Sequence, residues 1–318
     1  MSDSTAAPVA ISKDRPDQQL LGKYRPSRFQ GFVRRFVPSL APLTFNPLAK
    51  IAFNAADGLP RLMFPAFRRL PPNHLRVRVG VDSEIFHNQL KFFYSFGFWL
   101  FAFSERWCRL NSTIVDLGCG CGRYAHHLRD LHFAGRRFNG HYIGIDIDDE
   151  ALDWCRKHYD ERFTFLKSSD ASRTYRKEAS ANQPYRLEID DETVDLIFST
   201  SLFTHLLESE LVNYLEESAR VLVPGGVAAH SVFSLDHPPP TYGTRHTFRH
   251  RRGNAHLESE KTPEAAVAYR ERFLIDTALA AGFETAEVLA EPGTLQPFLV
   301  CRKPITPPQE FVVSRSIV

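Results

Sequence analysis

The chain has 318 residues, 43% hydrophobic and 24% charged, with a formal net charge of +2 at pH 7. That composition describes an ordinary soluble globule with apolar material for one substantial core and an extension. The five cysteines (Cys108, Cys119, Cys121, Cys155 and Cys301) are an odd set without a C-x-x-C pair, which speaks against a disulfide framework or a zinc site and for reduced thiols.

Residues 1–20 are polar and lack the apolar stretch of a secretory signal, so the expected setting is cytoplasmic. Charge is spread unevenly. Residues 1–80 hold thirteen Lys or Arg against four Asp, a balance of +9, which leaves −7 for the remainder of a chain whose total is +2. Within 28–70, Phe29, Phe32 and Phe36 are interleaved with Arg28, Arg34 and Arg35, and Leu62, Met63, Phe64 and Phe67 stand beside Arg68 and Arg69. Basic and aromatic residues together suit peripheral membrane contact. Prolines at 38, 42, 47, 60 and 65 interrupt any long amphipathic helix, so an extension that wraps the following domain, or is partly disordered, is the competing expectation. In the next segment, 81–110, Phe92 to Phe103 is apolar on every side, but its twelve residues fall short of the ~20 that cross a bilayer. A buried helix covering the core is expected there, with Asp82 and Ser83 as caps.

The stretch Val115 to Tyr124, VDLGCGCGRY, reads as a buried strand ending in a carboxylate and a glycine-rich turn before a helix. Gly118, Gly120 and Gly122 give G-x-G-x-G, and Arg123 stands where a dinucleotide fingerprint has its third glycine. Asp116 would repel a pyrophosphate but suits a cationic ammonium, so a nicotinamide dinucleotide is disfavoured. Cys119 and Cys121 are read as small packing residues. A second strand, His141 to Asp148, carries Asp146, thirty positions after Asp116, about one strand-helix-strand unit later. An acid there can accept hydrogen bonds from ribose hydroxyls, while Asp148 and Asp149 are the natural caps of a helix over 150–158. A third strand, 163–167, leads to Ser168, Ser169 and Asp170.

Further strands are expected at 194–199 and 227–235, with a helix over 211–222 between them. A capped helix is expected from Thr262, with Pro263 at its first position, to about Ala281, where Gly282 ends it. Strands at 283–289 and 297–302, joined through Glu291-Pro292-Gly293, should pair antiparallel. The insertion 236–256 is rich in proline, arginine and histidine. Its arginines favour an anionic ligand or form a solvated charge run.

VDLGCGCGRY, GIDID, SSDA, VDLIFSTSLFTHL and ARVLVPGG, in that order, resemble the motifs of class I S-adenosylmethionine-dependent methyltransferases, in particular a bacterial set with S-x-F-T-H-L after the fourth strand. The resemblance spans roughly 110–303 and implies an α/β fold: a doubly wound, mainly parallel seven-stranded sheet of Rossmann-like type, whose seventh strand is antiparallel, with an N-terminal helical extension. The implied layout is an extension at 1–80, a helical cover at 81–110, the cofactor-binding domain at 111–304 with its acceptor-loop insertion, and a tail at 305–318. It further implies S-adenosylmethionine as cofactor, with Asp116, Gly118, Cys119, Gly120 and Gly122 at its methionine part, Asp146 with Ile147 at the ribose, Asp170 with Ala171 at the adenine edge, and Thr200 nearby. No metal is implied.

Methyl transfer from a sulfonium needs alignment more than catalytic side chains. His205 is the candidate general base for a hydroxyl acceptor, or else it organises the loop after the fourth strand. Tyr242, Arg245 and Arg249 are the candidate acceptor contacts. The expected partner is a small-molecule or cell-envelope precursor, with a non-catalytic cofactor-binding protein as the alternative. Nucleic acid is not expected, since no RNA-binding module is recognisable.

Overall fold

The apolar runs that the sequence marks as strands become a sheet because each is covered on both faces. A computed structural model describes residues 41–79, 88–133, 135–168, 185–237, 246–290 and 296–305, all within the unit Ser39–Val318. The main-sheet strands are β1 (Thr113–Leu117), β2 (His141–Asp146), β3 (Phe163–Lys167), β4 (Val194–Ser199), β5 (Leu222–Ser231), β6 (Thr285–Leu289) and β7 (Phe298–Arg302). Their order across the sheet is β6-β7-β5-β4-β1-β2-β3. The pairs among β1 to β5 are parallel, and β7 lies antiparallel between β6 and β5. The order reverses between β1 and β4, which opens a crevice beyond their carboxyl ends.

The helices of the described residues are α1 (Pro47–Ala55), α2 (Gly58–Met63) and α3 (Asn73–Arg76) in the extension, α4 (Asn88–Tyr94) and α5 (Phe96–Ser104) ahead of β1, then α6 (Ala125–Asp130), α7 (Asp149–His158), α8 (Glu208–Val221) and α9 (Glu271–Ala280). Alternation along β1 divides the core in two. Val115 and Leu117 pack with Leu211 and Leu215 of α8 and Leu274 of α9. Ile114, on the other face, joins Trp99 of α5, Leu128 of α6 and Leu152 of α7. As expected, Asp148 caps α7, accepting from the Glu150 and Ala151 amides at 3.1 and 3.3 Å.

Several expected elements are divided differently. The apolar run 92–103 forms two helices, α4 and α5, that meet at Ser95, whose Oγ donates to the Phe92 carbonyl at 2.7 Å. It is only partly buried: Trp99 and Ala102 are inside, while Tyr94 is 78% exposed. The strand expected at 227–235 begins at Leu222 and leaves the main sheet after Ser231; Phe233–Ser234 pairs instead with Val267–Tyr269. That pairing also overrides the helix expected from Thr262. Pro263–Ala265 makes a single 3-10 turn, Val267–Tyr269 is a fully buried strand, and α9 starts only at Glu271. Gly282, at φ +102°, ends α9 as expected. Part of the insertion is a hairpin, His250–Arg252 with Ala255–Leu257, and it completes a second sheet of four strands.

The extension is clamped to α7. Glu150 is shared by Lys50 (2.7 Å), His74 (3.0 Å) and Arg78 (2.7 Å), and Arg78 also reaches Asp148 at 2.8 Å. Behind these, Arg76 and Asp57 form a buried pair at 2.6 Å, with Asn88 accepting from Arg76 Nε.

Candidate active site

Asp116 lies one residue before the end of β1, in register with Gly144 of β2 and Phe198 of β4, beside the point where the strand order reverses. Its side chain faces away from Val115 and Leu117 and is completely buried. Oδ2 accepts from the Tyr142 hydroxyl, while Oδ1 is buried with no hydrogen-bond partner. Burial pushes this carboxyl up to about 7, against the opposing pull of Tyr142 and the Arg123 charge. A buried acceptor left open is expensive, and a cationic donor arriving there would relieve it.

The turn after β1 uses positive φ at all three glycines: +80° at Gly118, +53° at Gly120 and +79° at Gly122. They differ in what they face. A Cβ on Gly120 would lie 2.9 Å from Val79, and one on Gly122 would lie 2.8 Å from the Tyr159 hydroxyl, so these two accommodate the protein's own packing. Gly118 is exposed, and its Cβ direction is open apart from Leu202 at 3.9 Å. Of the three, Gly118 is the one whose Cβ direction faces open space.

Four amides of this turn are already satisfied. Gly118 and Cys119 both donate to the Ile145 carbonyl (2.8 and 3.1 Å), Gly120 donates to Asp146 Oδ2 (2.7 Å) and Gly122 to the Cys119 carbonyl (3.0 Å). A phosphate-binding nest needs such donors aimed outward, and here they are turned inward. Asp146 thus pins the glycine turn from the end of β2, and its Oδ1 also accepts from the Ile147 and Asp148 amides at 2.7 and 2.9 Å. Three of about four lone-pair sites are occupied, which leaves room for one further donor rather than a bidentate pair. Beside it Ile147 is 38% exposed, an apolar contact at the mouth of the crevice. Cys119 packs against Gly144, and burial holds its thiol neutral.

Across the crevice, Arg123 reaches Thr200 just beyond β4, donating to Oγ1 at 2.9 Å, with its guanidinium 4.9 Å from the Tyr124 ring centre and its buried Nε unpartnered. Ser201 adopts φ +64°. Its amide donates to Ser231 Oγ (2.7 Å), and both hydroxyls donate to Gln296 Oε1 (3.1 and 2.8 Å). Because the Gln296 oxygen is engaged, its amide nitrogen is left as a donor. His205 Nδ1 donates to the Glu264 carbonyl at 2.8 Å, which orients the ring and, in the tautomer protonated there, leaves Nε2 as the acceptor. The second sheet braces this loop: Tyr269 donates to the Leu206 carbonyl at 2.9 Å, and Asn254 at the hairpin tip donates to Glu208 at 3.0 Å.

Asp116, Gly118, Cys119, Gly120, Gly122, Asp146, Ile147 and Thr200 thus gather around one turn and the strand ends beside it. Asp170, Ala171, Tyr242 and Arg245 lie outside the described residues. Arg249 is exposed on the segment leading into the hairpin. Sequence reasoning missed Ser231 and Gln296, which carry no local signal. It noted Arg123 only for displacing a glycine.

Residues 114–226 match the family profile described as a methyltransferase domain. Among solved structures, the chain is similar to an S-adenosylmethionine-dependent methyltransferase from Methanosarcina mazei (18% identity, 64% of this chain and 98% of that one, TM-score 0.44). It is also similar to the PH0226 protein of Pyrococcus horikoshii OT3 (15%, 76% and 99%, TM-score 0.47). A third is the 1,6-didemethyltoxoflavin-N1-methyltransferase of Burkholderia thailandensis, solved with 1,6-didemethyltoxoflavin and S-adenosylhomocysteine (15%, 61% and 72%, TM-score 0.40).

Proposed function

We propose that the protein is an S-adenosylmethionine-dependent methyltransferase acting on a small molecule, a cell-envelope or secondary-metabolite precursor with an anionic group. One observation carries the reading: a fully buried aspartate with an open oxygen beside a glycine turn whose amides are turned inward. That arrangement suits an ammonium better than a pyrophosphate. The strand order and the methyltransferase-domain match over 114–226 support it.

The sulfonium cofactor, when bound, supplies a methyl group already attached to a good leaving group. Asp116 Oδ1 receives the amino group, with Gly118 allowing close approach. Asp146 has one lone pair left that would take a ribose hydroxyl with Ile147 beside it, and Asp170 with Ala171 would hold the adenine edge. Arg123 holds Thr200 and so sets the width of the crevice. On the acceptor side, the Gln296 amide orients a carbonyl or carboxylate, and His205 Nε2 removes the proton of a hydroxyl as the new bond forms. Arg249, Tyr242 and Arg245 contact the anionic part of the acceptor.

Calorimetric titration of the full chain with S-adenosylmethionine and with NAD tests the cofactor. Binding of the first and not the second is expected, and the reverse would end the proposal. Release of S-adenosylhomocysteine on incubation with fractionated small anionic metabolites then tests turnover. Tight cofactor binding with no release from any fraction would leave a binding protein of this fold.

A further inference from the structure

Segment 47–69 exposes most of its large apolar side chains. In α2, Leu59, Leu62 and Met63 are 67%, 73% and 62% exposed. The charged residue among them, Arg61, turns inward, with Nε on Asp57 at 3.0 Å and one terminal nitrogen on the Leu70 and Pro71 carbonyls at 3.1 and 2.8 Å. In α1, Phe53 packs inward, but Leu48 and Ile51 are 77% and 67% exposed while Lys50 is drawn to Glu150. The outward face continues into Phe64, whose ring lies 5.2 Å from Phe67, which in turn lies 5.4 Å from Phe93. These residues are not loosely attached: the buried Asp57–Arg76 pair and the ions around Glu150 fix the segment to α7. An anchored face with this much exposed apolar surface marks an interaction site.

Beside that face is a cleft of about 700 Å³ lined by Arg61, Arg68 and Arg69 from the extension and Arg129, Arg137 and Arg162 from the domain, against two acids, Asp130 and Asp160. The inner arginines are engaged: Arg162 binds Asp160 at 2.6 Å, and Arg129 binds Asp130 at 3.2 Å. Arg69 and Arg137 are the more exposed, at 68% and 58%, and share the same two carboxylates, Arg69 with Asp130 at 3.2 Å and Arg137 with Asp160 at 3.9 Å. Six cations against two anions leave a positive excess, with the Arg69 and Arg137 guanidinium groups at its solvent-exposed edge, where phosphate oxygens can be received. The cleft is bounded by Trp154 and His158 at the end of α7 and by the turn before β3, so it lies at the opposite end of the strands from Asp116 and Asp146.

We propose that this face docks on an anionic phospholipid surface, with Leu59, Leu62, Met63 and Phe64 entering the interfacial layer and Arg69 and Arg137 receiving headgroup phosphates. An apolar face and a basic cleft side by side supply the two signals that peripheral attachment requires, and charge complementarity favours a lipid surface over a neutral protein partner. Among the described residues no helix is long and apolar enough to cross a membrane, so the contact lies in the plane of the bilayer. The inference does not depend on methyl transfer.

Co-sedimentation of the full chain with vesicles of phosphatidylcholine, alone or mixed with phosphatidylglycerol, tests it. Partition onto the mixed vesicles only is expected, with about a fivefold loss for each of Arg69→Gln and Arg137→Gln. The pair Leu62→Ser with Met63→Ser is expected to lose tenfold or more, at about 0.8 kcal/mol per buried methylene. All four substituted residues are exposed, and unchanged thermal unfolding verifies that the variants fold. Equal partition onto neutral vesicles, or none onto anionic ones, would overturn the proposal. So would calorimetric binding of inorganic phosphate without vesicle binding, which would identify a soluble ligand. Concentration-dependent self-association abolished by the serine pair would do the same, since it would identify a second copy as the occupant.

Discussion

Replacing Asp116 by Asn should remove a pH dependence of stability that the wild-type chain carries. In the fold this carboxyl titrates near 7, raised from 3.8, because burial disfavours its charge more than Tyr142 and Arg123 favour it. Between those two values the folded chain holds a proton that the unfolded chain has lost, so stability falls as pH rises through the window and levels off above it. A shift of about three units at 1.36 kcal/mol each amounts to about 4 kcal/mol of destabilisation at pH 8 relative to pH 4. Asn cannot ionise, so it removes this component. Its amide still accepts from Tyr142 but places NH2 where Oδ1 has no partner, a pH-independent penalty of about 1–3 kcal/mol. The difference between variant and wild type should therefore change sign: the variant is weaker near pH 4 and stronger near pH 8, a swing of about 4 kcal/mol. Urea unfolding across that range measures it. A difference flat with pH would refute the argument, since it would mean that the carboxyl meets no desolvation penalty. The same variant should lose S-adenosylmethionine affinity by a hundredfold or more, because a charge-assisted contact of ~3 kcal/mol disappears.

Gly118→Ala places a side chain at φ +80° and should cost about 1–2 kcal/mol in urea unfolding while weakening cofactor binding, measured by calorimetry. Asp57→Ala leaves Arg76 buried beside an absent partner and should destabilise the chain by about 3–5 kcal/mol. Glu150 is held down to about 2, burial opposing the shift but the hydrogen bonds from Lys50, Arg78 and His74 prevailing. Its contribution is complete above the ordinary glutamate range and fades as pH falls toward that value. Melting temperatures of Glu150→Gln and wild type should therefore converge as the solution is acidified. His205→Gln should preserve cofactor affinity and lower kcat about a hundredfold with a hydroxyl acceptor. Unchanged turnover would reduce the histidine to a brace for Glu264.

The main sheet was legible because each strand carries its own signal: β3 and β4 fall on the expected residues, and Asp148 caps α7 where its sequence position indicates. The second sheet was not. Val267–Tyr269 follows a proline that resembles a helix start, and only its pairing with two segments distant in sequence makes it a strand. Among site residues, Asp116 was readable because a carboxylate at a strand end is chemically specific. The difference between Gly118 and its two companions was not, since it depends on where Val79 and Tyr159 come to rest. Ser231 and Gln296 meet Ser201 only through the β4, β5 and β7 ends, and nothing local marks those two.

The contact between Val79 and Gly120 means that the extension is part of the pocket's masonry rather than a preface to it. A shortened chain beginning at β1 would keep every motif and still lose one flank of its glycine turn. It would also lose Arg78, the guanidinium that neutralises Asp148 and Glu150 directly after Asp146. Grafting the 114–226 stretch onto another scaffold would therefore transplant the recognisable letters without the buttress that keeps them in shape.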